Sequence, residues 1–402
     1  MLLLDIGLVV VGLALLIAGG EALVRGASTL AAKVGISPLV IGLVVVSAAT
    51  SAPELAVTVG AVLEGEPGLA IGNVIGSNIA NILLILGVSA VLSPLVIQGQ
   101  VVRFDIPVML GISVMLVVVS LDGVLSLIDG ILLLGGLILH AVLSVIVGRR
   151  ESKDAAYTPA EMALNSKPVP LWLAGLLVAL GVGLLVFGAQ TLVTGAVNIA
   201  FGLGVSSLVV GLTVVAIGTS LPELATSIVA LRRGERDMAV GNIVGSNIFN
   251  IGLVLGLPAI LFAEGIPLPD AAIALDLPLM LAAALALLPI SFTGFIIARW
   301  EGSLFVGLYV AYLLYVVLAS TEHDAASGFT TIMLWFVLPL VTITLIAVTA
   351  YEVGIYRGKA LARKSPRTAV GASLAGGKRD GHEGQAMRGE NRGEGHGPGH
   401  RS

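Results

Sequence analysis

Apolar residues fill long runs, each about the length of one bilayer crossing, separated by short polar breaks. A hydrocarbon core needs roughly 20 apolar residues per helix. Reading the chain with that window predicts eleven spans, near 3–24, 37–63, 67–92, 104–121, 124–147, 170–195, 206–231, 237–262, 271–291, 300–320 and 329–351. The first span has no signal-peptide cleavage pattern and more spans follow it, so it is expected to be retained. The predicted fold class is an all-α polytopic membrane protein. The predicted layout is a first half over 1–148, a polar cytoplasmic loop over 149–169, a second half over 170–320, an extra helix over 321–356 and a disordered tail over 357–402.

Repeats refine that layout. Thr50-Ser51-Ala52-Pro53-Glu54-Leu55 recurs as Thr219-Ser220-Leu221-Pro222-Glu223-Leu224. Gly76-Ser77-Asn78-Ile79-Ala80-Asn81 recurs as Gly245-Ser246-Asn247-Ile248-Phe249-Asn250. The offset is 169 positions at both motifs and holds without a gap from about Gly19 to Gly87. Asp105-Ile106-Pro107 echoes Asp276-Leu277-Pro278, and Asp129-Gly130 echoes Glu301-Gly302, at slightly larger offsets. Five spans per half is an odd number, so the second half enters the membrane upside down. Two inverted five-helix repeats form a common transporter architecture, with the site where they meet.

The polar residues of the repeat carry the chemistry. Glu54 lies deep in an apolar run, and Glu223 matches it. A mid-membrane acid costs about 2.5–3.5 kcal/mol on insertion scales. Two such residues are hard to explain without a cation to offset them. Ser47, Ser51, Glu54 and Thr58 share one helical face. Its counterpart is Ala216, Ser220, Glu223 and Ser227. Ser77 and Asn81 are four apart on the next span, as are Ser246 and Asn250. Asn73, Asn78, Asn242 and Asn247 fall on other faces and suit ties between helices. Pro53 and Pro222 interrupt helical hydrogen bonding and are expected to kink the chain beside Thr50 and Thr219. Backbone oxygens would then point where the two glutamates point. The set holds carboxylate, hydroxyl, amide and carbonyl oxygen, with no His or Cys. Such ligands suit hard cations, six to eight oxygens being typical of calcium.

Composition and charge sharpen the setting. Hydrophobic residues make up 57% of the 402 and charged residues 11%, against about a quarter charged in soluble domains. Cysteine is absent, which excludes disulfide scaffolds and thiolate metal sites. No phosphate-binding loop, zinc-protease motif or dinucleotide fingerprint appears, so an ATP-driven pump is not expected. With the N-terminus outside, all loop Lys and Arg fall inside, from Arg25, Lys33, Arg103, Arg149 and Arg150 through Arg232, Arg233, Arg236 and Arg299 to the tail. The outside loops hold Glu64, Glu66, Asp122, Glu264, Asp270, Glu322 and Asp324 instead. Gly19, Gly20, Gly26, Gly188 and Gly195 would let the first and sixth spans approach closely. His140 reads as a packed or hydrogen-bonded residue. Asp105, Asp129, Asp276 and Glu301 read as anchors near span ends.

At the doubled Thr-Ser-x-Pro-Glu-Leu and Gly-Ser-Asn-Ile-x-Asn segments, the chain resembles the sodium/calcium exchanger family of cation/calcium antiporters. The resemblance covers about residues 1–320. It implies ten core helices, with the eleventh beyond them. It implies sodium-for-calcium antiport by alternating access, with calcium, sodium and the lipid bilayer as partners and no soluble cofactor. No nucleic acid or obligate protein partner is expected. Glu54 and Glu223 would bind calcium and sodium in turn, and the Thr50 and Thr219 carbonyls would complete the calcium site. Ser51, Ser77, Ser220 and Ser246 would serve flanking sodium sites, with the carbonyls of Ser47 and Ala216. Asn81 and Asn250 would line the centre; some members carry an acid at one of these positions. A prokaryotic plasma membrane is the expected location. The residues alone leave open a proton-coupled antiporter built on the same glutamates and, in another class, a cation channel.

Overall fold

The computed structural model describes residues 2–154, 170–204, 216–262, 264–292, 295–321 and 325–344, with 346, 350 and 354 singly. Ten helices among them are long and apolar enough to cross a membrane. The first five are Leu2–Lys33, Pro38–Leu63, Pro67–Leu92, Val101–Val119 and Leu127–Arg149. The sixth is Leu171–Gly202, and of the seventh the structure describes Ala216–Thr219 and Leu221–Arg232. The eighth to eleventh are Arg236–Leu261, Ala272–Ser291, Arg299–Ala319 and Ser327–Thr344. The expected tail, 357–402, lies outside the described residues, as does most of the 149–169 loop. The fifth helix runs on through Asp154 into the start of that loop.

The first and sixth spans are longer than the sequence suggests. At 32 residues each, and 1.5 Å per residue, they reach about 48 Å, well beyond a hydrocarbon core of about 30 Å. Arg25 and Lys33 therefore sit on the extended helix rather than in a loop. The two helices pack along each other through glycines every seventh residue: Gly12, Gly19 and Gly26 on one, Gly181, Gly188 and Gly195 on the other. A methyl group on Gly19 would sit 2.8 Å from the Leu185 backbone nitrogen. Gly20 faces elsewhere, toward Val229 and Ala225 of the seventh span.

Inversion shows in four two-residue strands. β1 (Leu95–Val96) precedes the fourth span and β2 (Val124–Leu125) follows it. β3 (Ile266–Pro267) and β4 (Ile296–Ile297) flank the ninth span in the same way. β1 pairs antiparallel with β4, Leu95 opposite Ile297. β2 pairs with β3, Val124 opposite Pro267. The strand before one span thus meets the strand after its repeat. The fourth and ninth spans therefore run in opposite directions, and each half is the other turned over. The helix starts after β2 and β4 also match. Asp129 accepts from the Ser126 backbone at 2.8 Å, and Glu301 from the Ala298 backbone at 2.7 Å. Each carboxylate satisfies an end amide of its helix.

One large apolar cluster joins the second to fifth and eighth to tenth spans. A smaller one gathers the first, sixth and seventh spans against the start of the second and eighth. The polar site lies among the helices that these clusters hold.

Candidate functional site

The second span is not one continuous helix. Pro38–Ile41 is helical, Gly42–Val46 widens into a π-turn and Ser47–Thr50 is helical again. Ser51 (φ −81, ψ 0) then breaks the helix, and Ala52–Leu63 resumes with Pro53 as its second residue. The seventh span repeats this: Ser220 (φ −90, ψ 5) separates Ala216–Thr219 from Leu221–Arg232, with Pro222 second. The expected kinks beside Thr50 and Thr219 are therefore present. Glu54 and Glu223 lie in the first turn of the resumed helices. There the positive end of the helix dipole favours a carboxylate. The third and eighth spans carry the matching partners on π-turns, Ala80–Leu86 with Asn81 and Asn250–Leu255 with Asn250. π-Turns inside helices concentrate at functional positions.

The crossing of the second and eighth spans joins the halves. Gly42, Gly241 and Gly245 let the backbones touch; a methyl group on Gly42 would lie 2.5 Å from the Met238 carbonyl oxygen. Across this contact the Ser47 hydroxyl donates to the Asn242 carbonyl at 2.9 Å. The Thr50 hydroxyl lies 3.3 Å from Asn242 Oδ1 and 3.4 Å from the Ser246 hydroxyl. Asn73 donates to Thr58 at 3.1 Å, and its repeat Asn242 donates to Ser227 at 3.3 Å. These asparagines tie each broken helix to its neighbour.

Glu54 and Glu223 are fully buried, and Glu54 feels the charge of Glu223. Thr50, from the first half, neighbours the Glu223 carboxylate. On the second, third, seventh and eighth spans, these buried polar atoms lack hydrogen-bond partners: all four glutamate oxygens, the hydroxyls of Ser51, Ser77, Ser89 and Ser220, the Asn81 amide, and the side-chain carbonyl oxygens of Asn247 and Asn250. Buried polar atoms are normally paired, and each one left alone costs about 1–3 kcal/mol. Nearly all of these atoms are oxygens. No cluster of three or more His, Cys, Asp or Glu occurs among the described residues. A set of two carboxylates and several neutral oxygens matches the coordination of hard cations.

Family evidence agrees with this chemistry. The profile described as sodium/calcium exchanger protein matches residues 4–146 and 173–318. The chain belongs to the sodium/calcium exchanger family. Its class of activity is cation/calcium exchange across a membrane. Inner membrane protein YrbG of Escherichia coli is 43% identical over 262 residues, 65% of this chain and 81% of that protein. Sodium/calcium exchanger MaX1 of Methanosarcina acetivorans is 32% identical over 341 residues, 76% of this chain and 96% of its own. A solved structure of the sodium-calcium exchanger NCX_Mj, soaked with sodium and strontium, superposes with a TM-score of 0.66 at 33% identity. It covers 77% of this chain and 97% of its own.

Glu54, Glu223, Thr50, Ser51, Ser77, Ser220, Ser246, Asn81 and Asn250 are all buried. Thr219 ends its short helix and Ala216 begins it. Two of the expected site residues also bond within the protein. The Ser47 carbonyl accepts the Ser51 amide at 2.9 Å, and the Ser246 hydroxyl is in reach of Thr50. The halves also differ at one point. The Asn250 amide donates to Asn78 Oδ1 at 3.2 Å. The repeat-related Asn81 has no partner, and Asn247 donates to Ile243 of its own helix at 2.7 Å.

Asp105 needs correction. It is not an end anchor but fully buried, because the π-turn Val101–Asp105 starts its helix early and turns the side chain inward. It meets His140 Nε2 at 2.9 Å and the Ser144 hydroxyl at 2.9 Å, and His140 stacks on Phe104. His140 is thus hydrogen-bonded, as its setting in the sequence suggested. Ser144, four residues past His140, was the missed sign that this helix face is polar. The crossing glycines were also missed, although Gly42 recurs as Gly211 and Gly245 as Gly76.

Proposed function

We propose that this exchanger carries sodium and calcium in opposite directions through a single alternating site centred on Glu54 and Glu223. The observation that carries this reading is the pair of fully buried carboxylates, one from each inverted helix break, near enough for the charge of one to act on the other. Two carboxylates balance one divalent ion or two monovalent ions, so the loads compete for the same charge. Calcium takes both glutamates, with the Thr50 and Thr219 carbonyls completing its shell. Ser51, Ser77, Ser220 and Ser246 serve sodium on the flanks, with the Ser47 and Ala216 carbonyls, while Asn81 and Asn250 line the centre. The first and sixth spans, packed together along their glycine seam, rock across the fixed site to expose it to either side in turn. The N-terminus faces outward, across a prokaryotic plasma membrane.

The test is flux in proteoliposomes. Sodium-loaded vesicles diluted into sodium-free buffer should accumulate calcium, and Glu54→Gln should abolish uptake in a protein that still purifies as a single species. Uptake that follows a proton gradient and ignores sodium would replace the coupling ion with the proton. Calcium passage with no counter-ion would make the protein a channel.

A further inference from the structure

The eleventh span does not seal against the core. Between it and the ninth and tenth spans lies a cavity of about 250 Å³. Leu279 and Ala283 line it from the ninth span, Leu308 and Tyr312 from the tenth, Met333 and Leu338 from the eleventh. No charged side chain joins the lining, so an ionic headgroup would find no partner there. Thr342, one of its few polar residues, spends its hydroxyl on the Leu338 carbonyl at 2.8 Å. The rest of the lining is mostly Leu, Ala, Met, Phe and Val, which favours hydrocarbon over water.

The surroundings supply another occupant. Trp335, Leu340 and Ile343 on the eleventh span are 81%, 56% and 63% exposed, an apolar face suited to hydrocarbon. Leu334 lines the cavity yet keeps 56% of its surface exposed, so cavity and hydrocarbon are continuous there. We propose that this cavity holds one acyl chain of a membrane phospholipid, with the eleventh span as its outer wall. An apolar cavity of about 150 Å³ takes up the six carbons of benzene, so this one accommodates about ten carbons of chain. The wall lies outside the two matched repeats, the second of which ends at residue 318. The acyl chain rests against the third span, which carries Asn78 and Asn81, and against the ninth span bonded to it. Leu83, on the lining, is two residues past Asn81, and Met280, beside Leu279, accepts from the Asn78 amide at 3.5 Å. The binding itself is independent of which ions are exchanged.

The experiment places the full-length protein in nanodiscs containing phospholipid with a diazirine on one acyl chain, irradiates them and maps the labelled residues by mass spectrometry. Labels are expected on Leu279, Ala283, Leu308 and Met333, together with the lipid-facing Leu3 and Trp172. Ala283→Trp fills the cavity and should cut the cavity labels at least tenfold while Leu3 and Trp172 keep theirs. Ala311→Trp, from the tenth span, should do the same and serves if the first variant does not fold. Labelling confined to Leu3, Trp172 and similar outward residues overturns the proposal, as does cavity labelling that both tryptophans leave unchanged. A diazirine fatty acid added to unlabelled nanodiscs tests the source: cavity labels from it, with none from the phospholipid, overturn the assignment to phospholipid.

Discussion

Replacing Gly245 with alanine tests whether the ion site depends on backbone contact between the halves. The added methyl group would lie 2.9 Å from the Leu43 carbonyl carbon and would overlap the Leu43 carbonyl oxygen and the Ser47 hydroxyl. Carbon atoms pack at about 3.5–4.0 Å, so the second and eighth spans must part by roughly 0.6–1 Å. Overpacking of this kind costs about 1–3 kcal/mol. Against it stands a gain of at most about 1 kcal/mol, because alanine favours helix over glycine. The overlap wins, since backbone and a bonded hydroxyl cannot rotate away. The same parting carries Thr50 out of reach of Asn242 Oδ1 and Ser246, already at 3.3 and 3.4 Å. If the full 1–3 kcal/mol falls on ion binding, calcium affinity drops about 5- to 150-fold. Calorimetric calcium titration and thermal melting in detergent measure both effects. Gly135→Ala is the control, because a methyl group there meets nothing within 4 Å. Wild-type affinity and melting in Gly245→Ala, or equal damage from Gly135→Ala, would refute the reasoning.

Other predictions follow from the same geometry. Without cations, Glu54→Gln and Glu223→Gln should each melt above wild type, because an unpartnered buried carboxylate is costly. Added calcium should raise the melting point of wild type only; a matching rise in the variants would remove the glutamates from the site. In this cysteine-free chain, a short bifunctional thiol reagent should bridge the pair Asn78→Cys with Asn250→Cys in the conformation described. If the inverted halves exchange roles, Asn81→Cys with Asn247→Cys should cross-link in the opposite-facing state; failure of the second pair under every ion condition would refute the exchange. Burial pushes the Glu235 carboxyl above its ordinary range, against the Ser28 hydrogen bond. A raised folded-state pKa stabilises the fold at low pH, and that contribution is lost as pH rises from about 4.3 through the folded value. Glu235→Gln should therefore flatten the decline in melting temperature over that window, and an unchanged slope would contradict the burial.

The sequence alone determined that the chain lies in lipid, that it is a tandem repeat and that Glu54 and Glu223 lie within its apolar spans. Long apolar runs force helices wherever backbone groups cannot find water, and a gapless offset marks duplicated residues without any coordinates. The broken helices were legible too, since proline acts on its own backbone neighbours. Contacts between distant segments were not legible. Asp105 looked like a span-end residue until a π-turn and the partners His140 and Ser144 placed it inside. That the Ser47 hydroxyl lies within reach of both the Gly42 carbonyl and the Asn242 carbonyl of the eighth span was not readable from its place on the Glu54 face. The pairing of Asn250 with Asn78, left unmade by Asn81 and Asn247, is equally invisible in repeat motifs that carry the same asparagines. Tertiary structure decides these points because each depends on how closely two backbones approach, a distance set by glycines and side chains far apart in the chain.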